Sequence, residues 1–267
     1  MRRQVACRLF FHQRQVLTED VEMRVVVSPR SRSSRFFTGL VSSMAGCLVV
    51  TSAAQGLPTA VSVPGVACPW LAGFPDGTNG YDGDYAPYQA PVLVPVAMST
   101  GASFTVMSAT GAVSKGGVHP YYGPDGQPGD ATGSFQGPFG GIGYLLAPKV
   151  SLVGVFLDDT VPLNSPPGGL SFPSSLDRDF LNLAPALRQP FFIGDGRTSS
   201  NVVQEFFAPA GATRLFLGVT DQAAWNDNLG SFSVTLDVVP EPSTAVVLLV
   251  ASGMILRHRR RSGLSFP

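Results

Sequence analysis

The residues Asp221, Asp227 and Asn228 set a carboxylate at one edge of a short loop and a carboxylate–amide pair at the other. Hard cations such as Ca²⁺ gather several oxygens at once, drawn from carboxylates, amides and backbone carbonyls. The flanking stretches 214–219 and 231–238 read as strands, so a hairpin would draw the two edges together and offer a loop carbonyl between them. Asp and Asn also favour turns for reasons of their own backbone, and Gly230 suits a positive φ, so a plain turn is the competing reading. Trp225, Tyr121 and Tyr122 are candidates for stacking on a sugar face, against the commoner fate of packing in the core or at its rim.

Other groups offer less. The stretch 76–88 is polar and Gly-rich; its Asp spacing is faintly that of a calcium loop, but the Glu that closes an EF-hand is missing, and a surface turn is preferred. Asp158 and Asp159 form the best carboxylate pair for hydrolysis, yet neighbours on a strand point to opposite faces, which favours a solvated strand end. His119 is the only histidine between the two terminal segments described below, and neither G-x-S-x-G nor H-E-x-x-H occurs. An enzyme is not expected.

The elements that must position these groups are short strands. With 30 Gly, 23 Pro and 13% charged residues beside 44% hydrophobic ones, the chain has the composition of many strands and turns rather than of disorder. No segment of the middle carries apolar residues at helical spacing for long. Strand-like runs occur at 91–98, 103–107, 150–157, 202–207, 214–219 and 231–238, and 150–157 is nearly continuous in apolar residues, as in a strand buried on both faces. Residues 172–186 have room for a single helical turn. The fold expected is an all-β antiparallel sandwich over 55–238.

The segment 214–236 resembles the metal loop of the bacterial calcium-dependent, galactose-binding lectins of the PA-IL-like family. The likeness extends more weakly upstream, through 103–116, the run Tyr122-Gly123-Pro124-Asp125-Gly126, and Phe206-Phe207-Ala208-Pro209. It implies a galactose-binding, jelly-roll-like sandwich with Ca²⁺ as cofactor. Asp221 would be the first carboxylate ligand, Ala224 a backbone-carbonyl ligand, and Asp227 with Asn228 the counterparts of a paired Asn; Lys115 would add a carbonyl. Three departures count against galactose. The interval after Asp221 is one residue shorter, Asp227 replaces an amide donor with a carboxylate, and the family's flanking sugar-contact His has no counterpart directly after Gly126.

Both ends of the chain read as addresses. In 1–54, Met23 offers a second start; Arg24, Arg30, Arg32 and Arg35 form a basic region, 36–50 an apolar one, and Thr51-Ser52-Ala53-Ala54 a cleavage site, which together make an export signal helix. At 239–267, Val239, Pro240, Glu241 and Pro242 precede a short apolar helix at 245–256 and the cluster Arg257-His258-Arg259-Arg260-Arg261. Prolines keep such a strip extended and open to a protease, and arginines stay on the cytoplasmic side. Motif, apolar run and basic tail in this order resemble the PEP-CTERM sorting signal, also catalogued as an ice-binding protein C-terminal domain. That resemblance implies an exosortase-type enzyme as partner, transient inner-membrane anchoring, and delivery to a bacterial cell surface or exopolysaccharide matrix.

A formal net charge of zero conceals segregation. Residues 55–242 hold six basic residues against fifteen acidic ones, which gives no electrostatic reason to bind nucleic acid. Cys7 and Cys47 fall in the segment expected to be removed, so Cys68 has no partner for an internal disulfide. The function expected is an exported surface or matrix protein with a calcium-ordered, carbohydrate-binding sandwich. The alternatives are a secreted polysaccharide hydrolase and a structural matrix protein without metal.

Overall fold

The computed structural model describes residues 56–129 and 137–239. These belong to the second of the two units into which the chain divides, Thr51–Pro267. The export signal expected at 1–54, the sorting residues Pro240, Glu241 and Pro242, and the apolar segment 245–256 lie outside the described residues.

Among the described residues there are eleven strands: β1 (Leu57–Pro64), β2 (Val92–Leu93), β3 (Ser103–Ser114), β4 (Leu145–Leu146), β5 (Leu152–Leu157), β6 (Leu170–Ser171), β7 (Asn182–Leu183), β8 (Phe191–Phe192), β9 (Glu205–Phe207), β10 (Arg214–Val219) and β11 (Leu229–Val239). They form a five-stranded sheet in the order β1-β11-β3-β9-β7, a four-stranded sheet in the order β2-β10-β5-β8, and a small β4-β6 pair. Every pairing is antiparallel except β7 with β9 and β4 with β6. Helical structure among the described residues is confined to 3₁₀ turns at Pro69–Leu71, Leu176–Arg178 and Trp225–Asp227; the second is the turn expected within 172–186. No described helix is long and apolar enough to cross a membrane. The expectation of a mostly β body with two antiparallel-rich sheets is met, in an arrangement consistent with a sandwich.

The four-stranded sheet is apolar on both faces, and its sequence shows why. Along β5, Leu152 and Phe156 join one core while Val153, Val155 and Leu157 join another. In β10, Leu215, Leu217 and Val219 take the first core and Phe216 the second. The first core lies between the sheets: it brings in Phe104 and Val106 of β3, Phe206 of β9, and Phe232, Val234, Leu236 and Val238 of β11. Phe104 meets Phe156 at 6.1 Å and Phe206 at 4.8 Å between ring centres. The second core is closed by loops carrying Trp70, Leu71, Ile142 and Trp225.

Register fixes what sits at each end of the long strands. β11 pairs with β1 from Leu57↔Val238 to Pro64↔Ser231, and with β3 from Leu229↔Ser114 to Val239↔Ser103. The start of β1 and the end of β11 are therefore neighbours. The end of β3, with Lys115 next in the chain, lies at the opposite limit beside the 220–228 loop.

Candidate functional site

Thr220 anchors the loop where β10 ends. Its buried hydroxyl donates to the Pro148 carbonyl at 2.6 Å and accepts the Ser151 N–H at 2.8 Å. Asp221 follows, only 4% exposed, with one carboxylate oxygen accepting the Gln222 N–H at 2.6 Å. Burial pushes the Asp221 carboxyl above the usual carboxylate range, and the nearby Asp227 charge adds to this. The Gln222 N–H, an Asn228 side-chain hydrogen bond and the Lys115 charge work the other way.

Ala224 adopts a left-handed conformation (φ 56°) and opens the 3₁₀ turn Trp225–Asp227. That turn is capped from far along the chain. One oxygen of Asp84 accepts the Trp225 N–H at 3.1 Å and the other the Asn226 N–H at 2.9 Å. Asp84 is 1% exposed, and burial, ahead of Asp221 and Asp82, raises its pKa against the pull of those two amides. The 76–88 stretch is indeed a series of turns, yet Asp84 points inward as a cap and is no surface residue. Reasoning from sequence missed this role, because its only signal was a buried fate for one Asp among several in a Gly-rich loop.

Asn228 closes the loop. Its amide nitrogen donates to the Gly65 carbonyl at 3.1 Å, and its Oδ1 is buried without a hydrogen-bond partner. Asp227 is exposed and accepts the Gly116 N–H at 3.1 Å, which ties the loop after β3 to the 3₁₀ turn. Lys115, Asp221 and Asp227, all selected from sequence, line one recess of about 400 Å³ together with Lys149 and Val118. Asn228 adjoins Asp221 through its side-chain hydrogen bond. Ala224 is not part of that lining; Ala223 is, and the Ala224 carbonyl accepts the Asp227 N–H at 3.2 Å.

Trp225 does not present a face to a sugar. It is fully buried, donates Nε1–H to the Val219 carbonyl at 2.7 Å and packs against Trp70 at 5.7 Å, the core fate its size favours. Tyr122 is half-buried against the first core and bridges to Val113. Tyr121 is 39% exposed and meets His119 edge-on. Neither tyrosine lines the recess.

The groups weighed for hydrolysis stand apart. Asp158 accepts both the N–H and the hydroxyl of Thr160, and these bonds lower its pKa. Asp159 accepts the Thr213 hydroxyl at 2.7 Å. Both aspartates lie just past the end of β5, Asp158 closing a turn onto Thr160 and Asp159 bonded to Thr213 before β10. A second polar pocket, of about 390 Å³, is lined by Asp125, Arg178, Asp179, Asp195 and Arg197. Its carboxylates are already engaged: Asp125 takes the Asp195 N–H, Asp195 the Arg197 N–H, and Asp179 the Ser199 N–H and hydroxyl.

The 220–228 loop therefore brings one buried and one exposed carboxylate to the recess, and holds a buried amide oxygen on Asn228, which is outside that lining. No group of three or more His, Cys, Asp or Glu suited to a metal occurs among the described residues, so neutral oxygens would have to complete any coordination. No family model matches the chain, and no curated protein matches it.

Proposed function

We propose that this chain is an exported bacterial surface or matrix protein whose β body, a jelly-roll-like sandwich, binds Ca²⁺ at the 221–228 loop and serves in an extracellular polysaccharide layer. The observation that carries the metal reading is that this one loop buries two oxygen-bearing side chains, Asp221 and Asn228. Asp221 is buried with its ionised form disfavoured, and the buried Asn228 Oδ1 has no partner. A buried carboxylate and an orphaned amide oxygen are costly unless positive charge meets them. Asp227 supplies further negative charge at the rim, and Lys115 is the candidate for a backbone carbonyl. When bound, the cation would neutralise Asp221 and hold the loop in one arrangement; the protein's own contribution is the pinning of that loop by Thr220, Asp84 and Gly116.

Export rests on the sequence at the two ends. β1 opens at Leu57, just after the small-residue run Thr51 to Ala54, and β11 closes at Val239, just before Pro240. Removal of both terminal segments, the second by an exosortase-type enzyme at the motif Val239, Pro240, Glu241 and Pro242 and beyond the end of β11, would leave the described strands intact. The hydrolase alternative draws no support from Asp158, Asp159 and His119, which have separate local partners.

Heating the protein with Ca²⁺ and with chelator tests the metal reading. A ligand that binds only the native state raises stability by about 2.7 kcal/mol at a hundredfold excess over Kd. An unchanged melting temperature removes the calcium claim.

A further inference from the structure

The whole chain contains only two lysines, Lys115 and Lys149; every other basic residue apart from its histidines is arginine. Both lysines line the recess beside Asp221 and Asp227. They reach it from different elements. Lys115 directly follows β3, while Lys149 precedes β5, its backbone carbonyl accepting the Gln127 N–H at 2.9 Å. Elsewhere the body is strongly acidic.

We propose that this recess binds a carboxylate-bearing sugar, the repeating unit of an acidic polysaccharide, with Lys115 and Lys149 contacting its carboxylate. The argument rests in part on the calcium reading of the same loop. The two lysines balance the charges of Asp221 and Asp227, so a bound dication leaves the recess with an excess of positive charge. An anionic ligand is the complement of that field, and a neutral one is not. Lys115 lies in electrostatic reach of Asp221, so a cation that neutralises Asp221 would weaken one attraction on the ammonium. Lysine, a compact charge on a flexible stem, adapts to a carboxylate presented at several angles. Val118, 65% exposed on the same lining, supplies apolar surface for the C–H face of a sugar ring. Its volume falls within the range of about 300–1,000 Å³ common to small-molecule sites. The net acidity of 55–242 disfavours nonspecific binding of a polyanion elsewhere on the body.

The experiment measures binding of trigalacturonate, neutral galactotriose and a sulfated trisaccharide to the full-length protein by calorimetry, with Ca²⁺ and with chelator. Melting temperatures are read on the same samples. These oligomers are too short to gel with calcium. The expected result is trigalacturonate binding in Ca²⁺ at least about tenfold tighter than galactotriose, and weakened about fivefold or more by Lys149→Gln or Lys115→Gln. Arg197→Gln, in the second pocket, should retain it. Equal affinity for the neutral trisaccharide, equal affinity for the sulfated one, or indifference to both lysine substitutions overturns the proposal. A calcium-induced rise in melting temperature without trigalacturonate binding also overturns it while leaving the metal reading intact. Lysine-dependent trigalacturonate binding with no calcium effect removes the metal reading and, with it, overturns the calcium-borne field on which this proposal stands.

Discussion

Asp84 holds the loop in place through two hydrogen bonds and no covalent constraint, and its contribution is open to measurement. Replacing it with Ala leaves the N–H groups of Trp225 and Asn226 without their acceptors, the first of them in a buried residue. An unmet buried donor costs roughly 1–3 kcal/mol, and the Asn226 amide regains some of its loss from water, so Asp84→Ala should cost about 2 kcal/mol in urea unfolding with an unchanged m value. A second prediction concerns pH. Asp84 and Asp221 both have folded pKa values raised mainly by burial. In the unfolded chain they ionise near pH 4. Below that pH neither group penalises the fold; as pH rises through the raised folded values, the native state must carry two buried charges and loses stability. Calcium bound at the loop, as proposed, would reverse this for Asp221, because a cation favours the ionised form. The calcium-induced rise in melting temperature should therefore be larger at pH 7 than at pH 4.5, and absent at both in Asp221→Asn. The difference with and without metal is the quantity to compare, since Asp158, whose pKa is lowered, makes its own contribution in the opposite sense.

The long β3–β11 pair carries the site at its tip, and two glycines shape it. Gly111 and Gly230 have φ of 94° and 89°, and a Cβ on either would run into a carbonyl of the facing strand, Ser231 for the first and Ala112 for the second. Gly230→Ala should cost about 2 kcal/mol or more, from the left-handed backbone and the collision together, and should blunt the calcium response because Asn228 lies two residues away. Melting curves with and without metal would show both effects. How legible these elements were depends on the signal each carries. β5 and β10 could be read because a strand between two cores must be apolar at every position. β1 could not, since Pro58 and Pro64 argue against a strand; they are tolerated because β1 is the edge of its sheet, where missing N–H groups are permitted. β4, β6, β7 and β8 hold two residues each, too few for any period. The pairing of Asp221 with Asp227 and Lys115 was legible through the hairpin and the resemblance it carried. Lys149 and Asp84 were not, because tertiary contacts alone bring them to the loop. Trp225 suits either a sugar face or the core, and the core holds it fully buried.

At the scale of the whole molecule, the recess and the two chain exits lie at opposite limits of the same strands. β11 runs from Leu229, beside the loop, to Val239, beside the start of β1. Its 11 residues span roughly 35 Å at about 3.3 Å per residue. The described chain thus ends, at Gly56 and Val239, at the limit of the long strands away from the recess. Two consequences follow if the ends are addresses. Mass spectrometry of the protein recovered from the producing cell surface should find a chain beginning near residue 55 and ending within 239–242, without the arginine cluster. The calcium-induced rise in melting temperature of that shortened chain should equal that of the unprocessed protein, because the described residues that line the recess lie between β1 and β11. An intact chain in the cytosol, its arginine-rich end uncut, would refute the export reading while leaving the metal loop to stand or fall on its own titration.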